Sequence, residues 1–368
     1  MSEQLYSNVV MHSAGSDVAR GWVHLRDGSE VARGEGDVPQ IADVATLDGS
    51  DLTLAPRFTD IHNHGGGGIS FEDAPAIGAA LDVHVAAGTG QLVASLVTNP
   101  VQDIAVTVGA LREVIERQKS HERQLVGIHL EGPYLSPAHK GAHNPHFLVS
   151  PTPAQAAQLI EAGGGYLKQI TIAPETDSDL AAIRYFVEHG VAVAVGHTDA
   201  DYALAKAAFE AGASILTHTF NAMRPLLHRE PGPVAAALDS EHVTLELICD
   251  GVHVHAPTMR ALWAMAPGRV ALVTDAMAAA GCQDGHYMLG SLDVDVVDSV
   301  ARLSEGGAIA GSTLTLARAV ETAVSVGISL PEAIEAAATV PARALGFDQP
   351  AGGNLLDRQG KLVATFAD

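Results

Sequence analysis

The chain has 368 residues, 47% of them hydrophobic, which allows one large α/β domain or two domains of ordinary size and makes disorder unlikely. Its 43 acidic and 21 basic residues give a net charge of −22, which argues against nucleic acid or an anionic membrane as the main partner. Two cysteines exclude a disulfide framework, and no apolar run reaches the roughly 18 residues of a membrane-spanning helix.

The two ends of the chain share a β-like character. The opening MSEQLYSNVV has neither the basic nor the apolar region of a secretory signal, so we expect a cytoplasmic protein. Short β-like pieces separated by turn residues continue to about residue 55. The last stretch, GGNLLDRQGKLVATFAD, alternates apolar and other residues and suits a strand that pairs with the N-terminal segment. We predict a small β-sandwich domain built from residues 1–55 and 347–368.

Between residues 56 and 346, short apolar strands alternate with helical stretches. The strand candidates in chain order are RFTDIHNH, GQLVASLVT, QLVGIHLE, LKQITIAPE, VAVAVGHT, SILTHTF, VTLELICD and RVALVTDA. Eight strands, seven connections and a helical tail over 311–346 predict an α/β fold of the (β/α)8 TIM-like barrel type. Residues 281–308 are predicted to form an insertion of the hairpin type. An open doubly wound sheet is the alternative, and the lack of a G-x-G-x-x-G motif before the first helix disfavours it.

Side chains suited to metal binding stand at the ends of these strands. His62 and His64 lie two residues apart and therefore point to the same face of the first strand. The third, fifth, sixth and eighth strands end in Glu131, His197, His218 and Asp275. Because catalytic groups of such barrels gather at the C-terminal strand ends, the six side chains are predicted to converge. Imidazole and carboxylate groups suit zinc and similar divalent ions, so we predict a metal centre.

Two features of the sequence lie next to the predicted metal centre. His129 lies on the face of Glu131 but deeper in the barrel, so we expect a structural or supporting role. Residues Gly65–Gly68 are expected to keep the turn after His64 small and to leave room for substrate above the metal.

With these residues identified, the sequence resembles a known family, the N-acetylglucosamine-6-phosphate deacetylases of the amidohydrolase superfamily. The motifs that carry the resemblance are HLEGPYLS (129–136), KGAHNPHF (140–147), VGHTDA (195–200), THTFNAM (217–223), HREPG (228–232), ICDGVHV (248–254), LVTDAM (272–277), AGSTLTL (310–316) and PARALG (341–346). Relatives that bridge two metals with a carboxylated lysine are less similar, because none of the five lysines ends a predicted strand.

The resemblance implies a set of roles. Glu131, His197 and His218 would hold one metal ion, and His62 with His64 would hold a second, with Glu131 as the bridge. Zinc is favoured, and iron, cobalt or manganese are possible. Asp275 would take a proton from the metal-activated water and pass it to the departing amine. His143 would be catalytic and also contact substrate, together with Asn221, the Ala222 backbone, Arg229 and His253.

The family also implies a phosphorylated amino sugar as substrate and a place in amino-sugar and cell-wall recycling. Arg229 would bind the phosphate across the interface of a homodimer, since a guanidinium can contact two phosphate oxygens at once. The segment 132–150 would act as a lid over the mouth.

Two other functions stay open at this point. One is a different amidohydrolase that acts on a cyclic amide or an N-acyl amino acid, against which Arg229 and Asn221 argue because a neutral amide needs no phosphate site. The other is a non-catalytic barrel that binds metal for stability. Asp275 argues against it, because a structural zinc site closes its ligand shell and needs no carboxylate beside it.

Overall fold

The computed structural model describes residues 3–12, 19–41, 43–118 and 124–367. Parts of the predicted terminal domain (residues 1–2, 13–18, 42 and 368) and Lys119 lie outside this range. In the described part of the chain, no helix is both long enough and apolar enough to cross a membrane.

Eight parallel strands in chain order form the central sheet, each hydrogen-bonded to the next. Barrel strands one to eight are Phe58–Asn63, Thr89–Leu96, Leu125–Glu131, Leu167–Ile172, Ala192–Val195, Ile215–Leu216, Thr244–Ile248 and Val270–Val273. Strand eight returns to strand one, where the Asp275 N–H donates to the His62 carbonyl at 2.9 Å and the His64 N–H donates to the Ala276 carbonyl at 2.7 Å. The sheet therefore closes at the position of the predicted site, and the barrel prediction is confirmed.

Helices lie in each of the seven connections and cover the outside of the barrel. They are Gly78–Ala86, Val101–Arg117, Pro153–Gly163, Ala181–Glu188, Tyr202–Glu210, Gly232–Leu238 and Ala256–Met265. Local sequence sets their ends: Thr152 and Gln155 form a capping box, and Gly164 ends the same helix in the left-handed conformation. Their buried faces pack on the strands in one continuous apolar core.

The helical tail consists of Leu316–Ser325, Leu330–Ala337 and Thr339–Ala344. It follows an insertion that forms a three-stranded antiparallel sheet, Gly285–Leu289, Leu292–Val297 and Val300–Leu303, rather than a single hairpin. A separate small core that includes Leu289, Val294 and Met277 joins this sheet to the barrel mouth.

The two chain ends meet in a seven-stranded sheet. Its strands are Glu3–Met11, Ala19–Arg26, Ser29–Glu35, Thr46–Asp48, Thr53–Ala55, Gly353–Leu356 and Leu362–Phe366. The C-terminal segment supplies two strands instead of the expected one, and Leu355 pairs with Leu54. This sheet is the predicted small β-domain, while the boundaries at 55 and 347 stay a prediction.

The glycines after strand one form a tight turn that leaves no space for side chains at Gly65 and Gly67. Gly65 and Gly66 pair with Ser70 and Ile69 in a two-residue hairpin. A Cβ at Gly65 would lie 2.2 Å from the Ile69 carbonyl oxygen, and one at Gly67 would lie 2.8 Å from the Ala79 carbonyl oxygen. The turn after His64 is therefore small, as expected, while its part in leaving room for substrate stays a prediction.

Candidate metal centre and active site

The carboxylate of Glu131 lies in the middle of the barrel mouth, with imidazole Nε2 atoms on several sides. The contacts are His64 to Oε2 at 3.1 Å, His197 and His218 to Oε1 at 3.1 Å each, and His62 to Oε1 at 3.4 Å. All five residues are buried. The structure thus brings together the four histidines and Glu131 as the sequence predicts.

The spacing of the imidazoles tests whether a cation fits. The Nε2 atoms of His62 and His64 are 3.2 Å apart, and those of His197 and His218 are 2.9 Å apart. Two ligands on a tetrahedral zinc with Zn–N bonds of 2.0–2.1 Å are about 3.3 Å apart. Facing ring nitrogens repel each other unless a proton or cation lies between them, so this donor set fits a divalent metal ion.

Asp275 lies closer to the candidate ligands than the sequence indicates. Its Oδ1 is 3.3 Å from His64 Nε2 and 3.4 Å from His62 Nε2. Ligand atoms of His62, His64, Glu131 and Asp275 all lie within 4.8 Å of one another, and so do those of Glu131, His143 and His197. The two groups share Glu131, and its bridging role stays a prediction.

The electrostatics of the cluster are those of imidazoles held around carboxylates. Burial alone would lower the pKa of His64, but hydrogen bonds to Asp275 and Glu131 raise it to about 9. For Glu131 burial acts in the opposite sense, and His62 and His197 hold its pKa well below the usual value. His197 differs from His64, because burial lowers its pKa to about 4. Positive charge is therefore favoured at His64, whereas His197 is held as a neutral imidazole.

His129 lies beneath this cluster. Its ring hydrogen-bonds Ser95 Oγ and Thr171 Oγ1, each at 2.9 Å, and packs edge-on against His62 with ring centroids 4.6 Å apart. Burial and the neighbouring His62 lower the pKa of His129 well below its usual value. It therefore supports the His62 ring from below as a neutral side chain.

The ends of the strands adopt backbone conformations that the sequence does not reveal. His197, His218 and Asp275 have positive φ angles of 46°, 26° and 46°. Non-glycine residues rarely adopt this region, and those that do are concentrated at functional sites. The strained turns direct three side chains from three strands toward one point.

Sequence reasoning missed a buried carboxylate that joins strands one and eight. Asp60 Oδ2 accepts from Thr274 Oγ1 at 2.6 Å and from Asn63 Nδ2 at 3.0 Å. Thr274 directly precedes Asp275, and Asn63 lies between the two ligand histidines. Asp60 thereby fixes both sides of the site, and the D-x-H-N-H spacing is the signal that could have shown it.

A cavity of about 340 Å³ opens above the cluster. Its lining includes four of the predicted substrate contacts: His143, Asn221, Ala222 and His253. Apolar side chains from the segment 132–150 and from the insertion, among them Ala142 and Leu289, complete the wall. The site is thus a polar floor under a partly apolar cover.

His143 is held in a defined tautomer. The Thr98 backbone N–H donates to its Nδ1 at 3.3 Å, and Thr98 Oγ1 lies 2.9 Å from the same atom. Since Nδ1 accepts, the proton of the neutral ring sits on Nε2, which lies 3.4 Å from Glu131 Oε2. His143 is therefore able to donate a hydrogen bond into the cavity.

The remaining predicted contacts differ in their surroundings. His253 Nδ1 is 2.6 Å from Asp250 Oδ2, and the Asp250 Oδ1 accepts the His253 backbone N–H. Arg229 lies on an exposed loop, outside the lining of the cavity in its own chain. Its service to a neighbouring subunit stays a prediction.

A parallel eight-stranded barrel with histidines and carboxylates at its C-terminal mouth defines a class of metal-dependent hydrolases. The amidohydrolase family model matches residues 53–353. The chain is 39% identical to an N-acetylgalactosamine-6-phosphate deacetylase from Escherichia coli O157:H7 over 84% of this chain and 83% of the relative. It is 35% identical to an N-acetylglucosamine-6-phosphate deacetylase from Vibrio furnissii over 86% and 80% of the two chains.

Solved structures point to the same family. A mutant N-acetyl-D-glucosamine-6-phosphate deacetylase from Mycobacterium smegmatis, in complex with N-acetyl-D-glucosamine-6-phosphate, superimposes with a TM-score of 0.90 at 39% identity, over 100% of this chain and 98% of that one. The chain therefore belongs to the amidohydrolase family, where it groups with the N-acetylglucosamine- and N-acetylgalactosamine-6-phosphate deacetylases. The resemblance seen in the sequence is confirmed.

Proposed function

We propose that the protein hydrolyses the acetamido group of N-acetyl-D-glucosamine 6-phosphate to give acetate and D-glucosamine 6-phosphate. The observation that carries the proposal is the Glu131-centred cluster at the floor of a cavity lined by His143, Asn221 and His253. The 39% identity to an N-acetylgalactosamine-6-phosphate deacetylase makes the galactosamine epimer the second candidate substrate.

A divalent metal ion held by these residues, zinc in our proposal, would supply a water of lowered pKa and a Lewis acid for the acetyl carbonyl. We propose two ions per chain: Glu131, His197 and His218 for one, and His62, His64 and Glu131 for the other. The Oδ1 of Asp275 lies within the second group.

Asp275 is the proposed proton carrier. Burial raises its pKa, but His62 and His64 outweigh this and keep it below the usual value, so the carboxylate is ionised and ready to accept. It takes a proton from water as the water oxygen bonds to the acetyl carbon. The same proton goes to the nitrogen as the C–N bond breaks, because an amine leaves readily only when it is protonated.

The other residues position the substrate. His143 donates from Nε2 to the acetyl oxygen as negative charge develops there. Asn221, the Ala222 backbone N–H and His253 are proposed to contact the sugar and its phosphate.

A homodimer with Arg229 of one chain in the site of the other is also part of the proposal. The loop that carries Arg229 bears the exposed apolar side chains Leu226 and Leu227, 39% and 48% accessible, which suit a protein–protein contact. A cytoplasmic location and a role in amino-sugar and cell-wall recycling complete the proposed function.

The test is acetate release from four compounds: the 6-phosphates of N-acetylglucosamine and N-acetylgalactosamine, and the two unphosphorylated sugars. We expect turnover of the glucosamine 6-phosphate and little of either unphosphorylated sugar. Faster turnover of the galactosamine epimer would favour the second candidate. Equal rates with and without phosphate would refute the phosphate site.

A further inference from the structure

A fully buried carboxylate lies beneath the candidate metal centre and has no role in the proposed reaction. Glu246 is in the middle of barrel strand seven, Thr244–Ile248, between Leu245 and Leu247, and its exposed fraction is 0%. Burying a carboxylate among apolar side chains is costly unless its oxygens are hydrogen-bonded. Packing alone therefore does not explain a carboxylate at this position.

Glu246 has partners on three other strands. Its Oε2 lies 3.0 Å from His62 Nδ1 on strand one and accepts the His218 backbone N–H, which follows strand six, at 3.2 Å. Its Oε1 accepts from Gln169 Nε2 on strand four at 2.8 Å. One carboxylate thus holds a residue from each of the two candidate ligand groups.

The contact with His62 fixes the tautomer and the orientation of that ring. A carboxylate at Nδ1 keeps the ring proton there, so the lone pair of Nε2 points away, toward His64 Nε2 at 3.2 Å and Asp275 Oδ1 at 3.4 Å. Only a ring nitrogen with a free lone pair binds a metal, and a carboxylate behind the ring makes that nitrogen a better ligand.

We propose that Glu246 is a positioning residue that sets the affinity of the His62/His64 metal position. It acts through the Nδ1 of His62, and it holds the His218 backbone in the left-handed conformation at the same time. This inference rests on the proposed two-metal site and adds the residue that controls its occupancy.

The variant Glu246→Gln isolates the charge. Its amide oxygen can still accept hydrogen bonds from His62 and from the His218 N–H. Its NH2 group, which takes the place of Oε1, needs a hydrogen-bond acceptor. Gln169 can supply one, because its Oε1 is buried without a partner among the described residues and a flip of its amide presents that atom. The hydrogen-bond network therefore survives while the negative charge is lost.

The experiment measures zinc content per chain after equilibration of the full-length protein in buffers of defined free zinc. We expect the wild type to bind two ions, and E246Q to bind the ion at His62 and His64 about 10- to 100-fold less tightly while it retains the other. Asp177→Asn is the matched control: Asp177 is also a buried carboxylate that the substitution turns into an amide, but its oxygens accept from the backbone N–H groups of Ala182 and Ile183. It should leave both affinities unchanged.

A second variant shows whether the effect passes through His62. In a His62→Asn background the His62/His64 site is already lost, so adding E246Q should change zinc binding little further. Circular dichroism checks that E246Q folds. If it does not, Glu246→Asp takes its place, since it keeps the charge but is too short to hold His62 and Gln169 together, and the same loss is expected.

The inference is overturned if E246Q binds both ions as the wild type does, if D177N loses zinc equally, or if the wild type binds a single ion. Zinc content does not depend on turnover. A protein that binds two ions but releases no acetate would therefore refute the proposed substrate and leave the role of Glu246 supported.

Discussion

At the scale of single residues, the site depends on side chains whose protonation is fixed by their neighbours. Glu131 is held ionised by the histidines around it, and His143 is held with its proton on Nε2 by the Thr98 backbone. Asp275 lies at the edge of the same cluster, 3.3 Å from His64. Each group is ready for its proposed role before substrate arrives, which is how preorganised polar sites lower a barrier.

Asp275→Asn should abolish proton transfer and keep the shape of the site. The amide can still place an oxygen near His62 and His64, but it cannot accept a proton. We expect kcat to fall by about 10²- to 10⁴-fold with a much smaller change in KM. Steady-state kinetics with zinc content measured in parallel tests this, and a variant that keeps more than a tenth of the wild-type kcat at equal zinc content contradicts the assignment.

At the scale of elements, the segment 132–150 lies directly over the ligands. Its backbone carbonyl at His139 is 2.8 Å from His197 Nδ1, and His139 Nε2 is 3.1 Å from Asp199. Gly141 is the point of closest approach, with φ at +52°, and a Cβ there would lie 3.0 Å from Cε1 of His197. The segment and the candidate ligand His197 are thus packed against each other.

Gly141→Ala should therefore weaken metal binding as well as activity. Gly268→Ala is its control, because Gly268 also has a positive φ, +69°, but has no atom within 4 Å of the added methyl. Both variants should lose about 1–2 kcal/mol of folding free energy, because a left-handed backbone costs a non-glycine residue roughly that much. Only G141A should also lose zinc affinity, and equal zinc binding by the two variants would show that the segment does not press on His197.

The elements also show what the sequence could predict. Apolar runs and strand-end histidines were sufficient for the barrel and for the convergence at Glu131. The pattern VTLELICD looks like an ordinary buried strand, so the role of Glu246 was invisible until Gln169 and His62 were placed beside it. The left-handed backbone at His197 and His218 was equally hidden, since tertiary contacts and not local preference impose it.

At the scale of the whole molecule, metal binding and folding are coupled through the same charges. In the metal-free protein the pKa of His64 is raised from 6.5 to about 9. A raised histidine pKa stabilises the fold fully below pH 6.5, and this contribution is lost as the pH rises through 9. The shift corresponds to about 3 kcal/mol at most.

We therefore expect the Tm of the chelator-treated protein to fall between pH 6.5 and pH 9.5, and that of the zinc-loaded protein to change much less. Zinc takes the place of the proton, so the loaded histidine no longer titrates. Differential scanning calorimetry at several pH values measures this. A metal-free Tm that stays constant or rises across the range would contradict the charge distribution described for the cluster.

The proposed dimer has a test of its own. Arg229→Met should raise KM for the 6-phosphate about 10- to 100-fold, in line with the loss of a charge-assisted contact. If Arg229 acts in the neighbouring site, mixing R229M with D275N by unfolding and refolding should restore activity, because the mixed dimer has one site with both residues. Activity no higher than that of the separate variants would place Arg229 in its own subunit's site or outside both sites.

Hydrolysis of the amide should require metal bound at the Glu131-centred cluster. The most direct measurement is the rate of acetate release from N-acetyl-D-glucosamine 6-phosphate while zinc is added back to the metal-free protein, for the wild type and for Glu131→Gln. We predict that the wild-type rate rises with bound zinc and levels off when the site is full, and that E131Q binds little zinc and stays inactive. Full activity in the metal-free wild type, or in E131Q, would contradict the account.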